Sequence, residues 1–152
     1  MTLAQETQGF LAMDDGRTFR LGPITILVKE DGSGTRGSIS VAEFRGEAFR
    51  IPPHTHTEHD ENIYVLEGTL GVMLGDQTAT VAAGGSFTIP VNVVHSVFNE
   101  SGAQVRFLNV IAPARYLSYF DEMAAAAGAG LPSPEVMGQI MRKYGLQPVA
   151  QH

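Results

Sequence analysis

The chain has 152 residues, enough for one domain with a sizeable core, and 43% hydrophobic against 17% charged residues describes a folded rather than a disordered protein. A net charge of −6, with ten scattered Lys and Arg, excludes the clustered basic face of a nucleic-acid binder. There is no cysteine, which removes disulfides and thiolate metal sites.

The first residues, MTLAQETQGF, carry neither the basic nor the apolar segment of a secretory signal, and no apolar run approaches the ~18 residues of a membrane span. A cytoplasmic protein with no membrane partner is the expectation. In chain order, strands are expected over 19–30 (FRLGPITILVKE), 37–45 (GSISVAEFR), 61–68 (ENIYVLEG), 69–75 (TLGVMLG), 77–83 (QTATVAA), 86–90 (SFTIP), 95–100 (HSVFNE) and 103–113 (AQVRFLNVIAP). Each is rich in β-branched or aromatic residues and bounded by Gly, Pro, Asp or Asn. Gly75 and Asp76 suit the centre of a hairpin turn. Strands this short, with no helix between them, indicate an all-β antiparallel sandwich or barrel.

The pattern changes after Pro113. Tyr116, Tyr119, Phe120 and Met123 recur at helical spacing, and Gly128 and Gly130 end that segment. A second helix begins at SPEVMGQIMRKYG, with Ser133 as N-cap, Pro134 in the first turn and Gly145 at the C-terminal cap. Its expected buried side is Val136, Met137, Ile140, Met141 and Tyr144. Residues 1–113 are thus read as the β-barrel with its N-terminal strands, and 114–152 as a two-helix C-terminal appendage of the same domain.

The stretch HTHTEHDENIYVLEG, residues 54–68, holds three of the five histidines and four of the sixteen acidic residues. On a strand, His54 and His56 share a face with Cα atoms ~7 Å apart, and two such imidazoles can converge on one cation at ~2.1 Å. Taken alone, an HTH pair is more often two surface histidines. Glu61 would face away from them on one straight strand, but a turn over 57–60 lets it begin the next strand facing inward. A carboxylate there is costly to bury unless it meets a cation, whereas a capping role in solvent is the plainer reading. His95 enters an apolar run in GGSFTIPVNVVHSVFNE and, alone, reads as a core or rim residue.

Together these residues carry a resemblance. His54-x-His56-x4-Glu61-x6-Gly68 resembles the first motif of the cupin superfamily, and Gly84-x5-Pro90-x-Asn92-x2-His95-x3-Asn99 resembles the second. Fifteen residues separate the two, similar to the short inter-motif segment of bacterial cupins, and the likeness spans about residues 37–113. Two positions depart: Gly46 stands eight residues before His54 where the family has six, and Asn92 stands where the family has glycine. Asn tolerates left-handed backbone, so the turn should survive.

The resemblance implies a double-stranded β-helix, the jelly-roll barrel of cupins, holding one divalent transition metal ion (Fe, Mn, Ni, Co, Cu or Zn). The ligands would be His54, His56, Glu61 and His95, with Glu61 also the catalytic base; ligand type alone does not choose the ion. Phe44, Phe49, Ile63, Val65, Val97 and Phe107 are the expected pocket lining. On strand 103–113 either Arg106 and Leu108 or Phe107 and Asn109 face inward. Arg45, Arg50 and Arg106 are the arginines within reach of the barrel, and His59 is expected to face solvent in the turn, with His152 outside the pattern. The stretches HTHTEHDENIYVLEGTLGVMLGD and VRFLNVIAPARYLSYFDEM, with a final KYGL, resemble quercetin-dioxygenase-like single-domain cupins. That implies a metal-dependent dioxygenase acting on an enolisable or phenolic small molecule, with Tyr116, Tyr119 and Phe120 either packing the helix or forming a lid. The alternatives are a non-redox metal-assisted isomerase, cyclase or lyase, and a non-catalytic small-molecule-binding cupin. A homodimer formed through residues 1–30 is expected, since an unpaired sheet edge needs covering.

Overall fold

The computed structural model of the chain describes residues 10–128 and 130–149. Twelve strands appear: β1 (Arg17–Leu21), β2 (Ile24–Glu30), β3 (Ser40–Gly46), β4 (Phe49–Arg50), β5 (His54–His56), β6 (Asp60–Glu67), β7 (Thr69–Leu74), β8 (Gln77–Ala82), β9 (Ser86–Ile89), β10 (His95–Asn99), β11 (Val105–Ala112) and β12 (Leu146–Pro148). The helices are α1 (Leu117–Ala127) and α2 (Pro134–Lys143). One sheet runs β1-β2-β3-β11-β6-β9 and the other β12-β5-β10-β7-β8, with β4 also on β10. This is the mostly β, double-stranded β-helix architecture with two C-terminal helices.

Period-two alternation sets the inner face. Along β6, Glu61, Ile63 and Val65 are buried while Asn62, Tyr64 and Leu66 are exposed. Along β11, Val105, Phe107, Asn109 and Ile111 point inward, which settles the open register in favour of Phe107 and Asn109. Phe44 stacks on Phe107 with ring centroids 5.2 Å apart and meets Phe120 of α1 edge-on at 5.2 Å, joining the sheet to the helix. Each such ring contributes roughly 1.5–3 kcal/mol by leaving water.

Three features differ from the sequence reading. The run 19–30 is two strands, because Gly22 at φ +57° and Pro23 form a tight turn that pairs Leu21 with Ile24. The tail returns to the barrel as β12, pairing with β5 beyond Gly145. Helix α2 has no fully buried residue: Val136 is 37% exposed, and Met137, Ile140 and Met141 are half-buried. Met137 and Met141 face a cavity instead of a packed core. Tyr144, just past the helix, is buried as expected. The caps agree: Ser133 Oγ accepts from the Val136 N–H at 3.3 Å, Pro134 opens α2, and Gly145 follows it at φ +72°.

The hairpin at Gly75–Asp76 forms between Leu74 and Gln77, with Gly75 at φ +63°. Asn92 takes the left-handed conformation at φ +66°, and its N–H donates to the His56 carbonyl at 2.8 Å. The turn before His95 is thereby tied to the strand of the other histidines. Asn92→Ala is expected to lower stability by about 1 kcal/mol, because alanine lacks the short polar side chain that eases asparagine into left-handed backbone. Asn92→Gly should stay within about 0.5 kcal/mol of the parent, and paired urea midpoints check both.

Candidate metal centre

Three short elements bring the polar cluster together. Strand β5 turns His54 and His56 inward, residues 57–59 reverse the chain, and β6 starts with Asp60 accepting the Val91 N–H at 3.1 Å. Glu61 then points into the barrel. His95 opens β10 directly opposite His54 in register. The His54 and His95 rings lie 4.3 Å apart, His56 and His95 4.7 Å, and His54 and His56 6.1 Å. Glu61 Oε2 sits 3.1 Å from His56 Nε2 and 3.9 Å from His95 Nε2. Two ligand atoms each ~2.1 Å from one ion and at right angles to each other stand ~3 Å apart, so the closer pair has the spacing of neighbouring ligands.

The chemistry of these donors fits a cation. His54 Nδ1–H donates to the Pro52 carbonyl at 3.0 Å, and His95 Nδ1–H to the Val93 carbonyl at 2.9 Å. A carbonyl only accepts, so both rings carry their proton on Nδ1 and leave Nε2 with a bare lone pair. Burial lowers the pKa of His54, and it holds His95 at about 4 with help from the neighbouring His54. Burial pushes the Glu61 carboxyl up, yet the His56 hydrogen bond and the charges of His56, His59 and His95 outweigh it and hold Glu61 at about 2. Neutral imidazoles and an ionised carboxylate are the forms that bind a divalent ion. Asn109 Nδ2 donates to Glu61 Oε1 at 3.1 Å, which fixes the carboxylate rotamer. The alternation of β11 put Asn109 on the inner face, but nothing in the sequence paired it with Glu61, because that contact joins residues 48 apart.

His59 is a correction. It is 3% exposed, not solvent-facing: its ring stacks on His56 at 3.9 Å on one side and on Tyr116 at 3.5 Å on the other. The turn tucks the imidazole under the Ala114–Tyr116 helical turn, where burial lowers its pKa to about 3. Donor atoms of His56, His59 and Glu61 all lie within 4.8 Å of one another, so this trio is a rival ligand set. Geometry disfavours it. Ring lone pairs lie in the ring plane, and the His56 and His59 planes are stacked at 28°, so the lone pairs run side by side. The His54–His95 and His56–His95 planes cross at 57° and 65° and can converge. His152 lies outside the described residues, as do the first nine residues of the N-terminal segment.

A cavity of about 430 Å³ adjoins the cluster, with His54, Glu61, His95 and Asn109 in its wall. Phe44, Phe49, Ile63, Val97 and Phe107 line it; Val65 is fully buried but off the cavity. Tyr116, Tyr119, Phe120 and Met123 of the α1 region close another side. Arg45 and Arg106 stay out, both bonded to Glu43 (2.7 and 3.1 Å from their Nε atoms). Arg50 reaches the rim but bonds Glu100 and lies over the Phe98 ring at 4.2 Å. Among the lining residues Glu61 is the one carboxylate.

The metal-free cluster should be acid-sensitive. His59 and His95 titrate well below 6.5 when folded and near 6.5 when unfolded, so unfolding takes up protons and stability falls as pH drops from about 6.5 towards 4. Glu61 adds a loss of the same sign between about 4.5 and 2. At pH 5 the cost is on the order of 2 kcal/mol per histidine. Urea midpoints of chelator-treated protein at pH 7.5 and 5 measure it, and equal midpoints would contradict these environments.

Residues 40–111 match the family described as the cupin domain. Over 106 residues the chain is 33% identical to polyketide synthase CurC of Streptomyces cyaneus, covering 67% of this chain and 68% of that protein. The chain belongs to the cupin superfamily. Among solved structures it is similar to the polyketide cyclase RemF from Streptomyces resistomycificus, at 29% identity and TM-score 0.60, covering 69% of this chain and 78% of that one. A sugar phosphate isomerase of the cupin superfamily from Silicibacter pomeroyi shares the fold at 23% identity and TM-score 0.60, covering 68% and 74%. No described helix of this cupin is long and apolar enough to cross a membrane.

Proposed function

We propose that this cupin is a metal-dependent enzyme that cyclises an enolisable, aromatic or polyketide-like small molecule without consuming dioxygen. The observation that carries the reading is an apolar cavity of about 430 Å³ with His54, His95 and one carboxylate, Glu61, in its wall. His54, His56, Glu61 and His95 would hold one divalent ion of the Fe, Mn, Co, Ni, Cu or Zn class. When bound, such an ion supplies Lewis acidity that polarises a carbonyl oxygen.

The chain's own groups do the rest. Phe44, Phe49 and Phe107 offer ring faces against which a flat unsaturated molecule packs, and the dry wall keeps water away. Glu61 is the carboxylate placed to accept a proton. A carboxylate base suits a carbon that is already acidic, as a methylene between two carbonyls is. That chemistry and the names of two relatives, a polyketide synthase at 33% identity and a polyketide cyclase at 29%, support the cyclase reading over the dioxygenase one.

The test is untagged protein, reloaded ion by ion and given the N-acetylcysteamine thioester of an aromatic-forming poly-β-ketone. A cyclised, water-losing product with a flat oxygen-electrode trace supports cyclisation. Oxygen uptake with quercetin would move the assignment to a dioxygenase, and ligand binding without turnover to a non-catalytic cupin. Association as a homodimer is part of the proposal: β1 is a sheet edge, and Phe10 and Met13 before it are exposed. A size-exclusion mass near the monomer's 16.3 kDa would overturn it.

A further inference from the structure

Tyr116 lies against His59 of the histidine cluster and lines the same cavity as His54, Glu61 and His95. It closes the short helical turn Ala114–Tyr116 that leads into α1, and it is 4% exposed. Its ring is clamped by His59 at 3.5 Å, by Tyr119 at 5.1 Å and 9° between planes, and edge-on by Phe120 at 5.1 Å. The hydroxyl makes no hydrogen bond to any described residue, although the residue lines the same cavity as Glu61, His54 and His95. A tyrosine that only filled the core would find an acceptor for its O–H or be replaced by phenylalanine without loss. This one is clamped by three rings, buried, and set in the wall of the cavity that Glu61, His54 and His95 share.

We propose that Tyr116 is a catalytic residue of this site, its phenol donating a hydrogen bond to a carbonyl oxygen of the substrate as that oxygen gains charge. The proposal rests on the reading that the site acts on an enolisable ketone. In the step concerned, the Glu61 carboxylate takes a proton from the carbon beside the carbonyl. The C–H electron pair moves into a new C=C bond, and the carbonyl π pair moves onto oxygen. Tyr116 keeps its proton and shares it with that oxygen. A fixed donor aimed at developing negative charge inside a water-excluding cavity acts far more strongly than the same donor in water. Burial, together with the Glu61 charge, raises the phenol's pKa, so it remains a donor throughout the neutral range. The implied substrate presents two oxygens, one at the histidine–glutamate cluster and one turned towards α1.

Tyr116→Phe removes a single oxygen and preserves the ring stack. The probes are benzoylacetone, an aromatic 1,3-diketone, and naphthalene, a flat hydrocarbon with no oxygen, each titrated calorimetrically into the zinc-loaded full chain. The expected result is unchanged melting temperature and zinc stoichiometry, naphthalene binding as in the parent, and benzoylacetone binding weaker by about tenfold, the scale of one lost hydrogen bond. Equal affinity of parent and variant for benzoylacetone would overturn the proposal while leaving the proposed function standing. Equal weakening for both probes, or lost zinc, would show a packing role and overturn it too. A parent protein that binds naphthalene but not benzoylacetone would sink both readings.

Discussion

His95→Ala is expected to cost the protein most of its bound divalent metal, lowering affinity by more than about 100-fold while the barrel stays folded. The reasoning starts from register: β10 places His95 opposite His54, and the Val93 carbonyl holds its Nδ1 proton, so Nε2 faces Glu61. Loss of an outer hydrogen-bond partner typically costs 10- to 100-fold in metal affinity, and a direct ligand contributes more. β10 is retained by pairings to β4, β5 and β7. His59→Ala is the control that separates the rival trio, and it should keep its metal. Elemental analysis of untagged protein beside circular dichroism reads both, and stoichiometric metal in His95→Ala would contradict the assignment.

Phe107→Ala is expected to destabilise the core by about 3 kcal/mol, the lower part of the 3–5 kcal/mol usual for Phe→Ala. Phe107 is 2% exposed and lies against Phe44 at 5.2 Å and Phe49 at 6.4 Å. It also borders the cavity, so part of its surface is already unpacked, which places the cost at the lower end. Leu66→Ala on the outer face, where the side chain is 39% exposed, should change stability by about 0.5 kcal/mol or less. Urea midpoints compare the two. A loss under about 1 kcal/mol for Phe107→Ala would mean that the aromatic layer does not organise the core.

Much of the barrel was legible because its strands obey period two and its turns carry their own chemistry. ENIYVLEG alternates cleanly, and Gly75–Asp76 closes a two-residue hairpin. Asn92 adopts the left-handed turn that the missing glycine put in question. The hairpin at Gly22–Pro23 was hidden because apolar residues continue through it on both sides. Strand β12 was hidden because three residues carry no periodicity and gain their pairing only from β5. The half-buried face of α2 follows from packing over a cavity, which amphipathic spacing cannot distinguish from packing on a solid core.

The same division runs through the site. His54, His56, Glu61 and His95 came as a set only through the resemblance to cupins, and the structure places the three rings and the carboxylate side by side. His59 was misplaced because a histidine among Thr, Glu and Asp looks solvated, while its burial depends on Tyr116, 57 residues later. Asn109 and Tyr116 reach the cluster through β11 and the turn after it, contacts that no local pattern encodes.

The most direct measurement is anomalous diffraction from crystals of untagged, metal-loaded protein at the absorption edge of the ion. One peak is expected, at ~2.0–2.3 Å from Nε2 of His54, His56 and His95 and from a Glu61 oxygen. A stoichiometric ion bound instead to His59, or away from β5 and β10 altogether, would contradict the account.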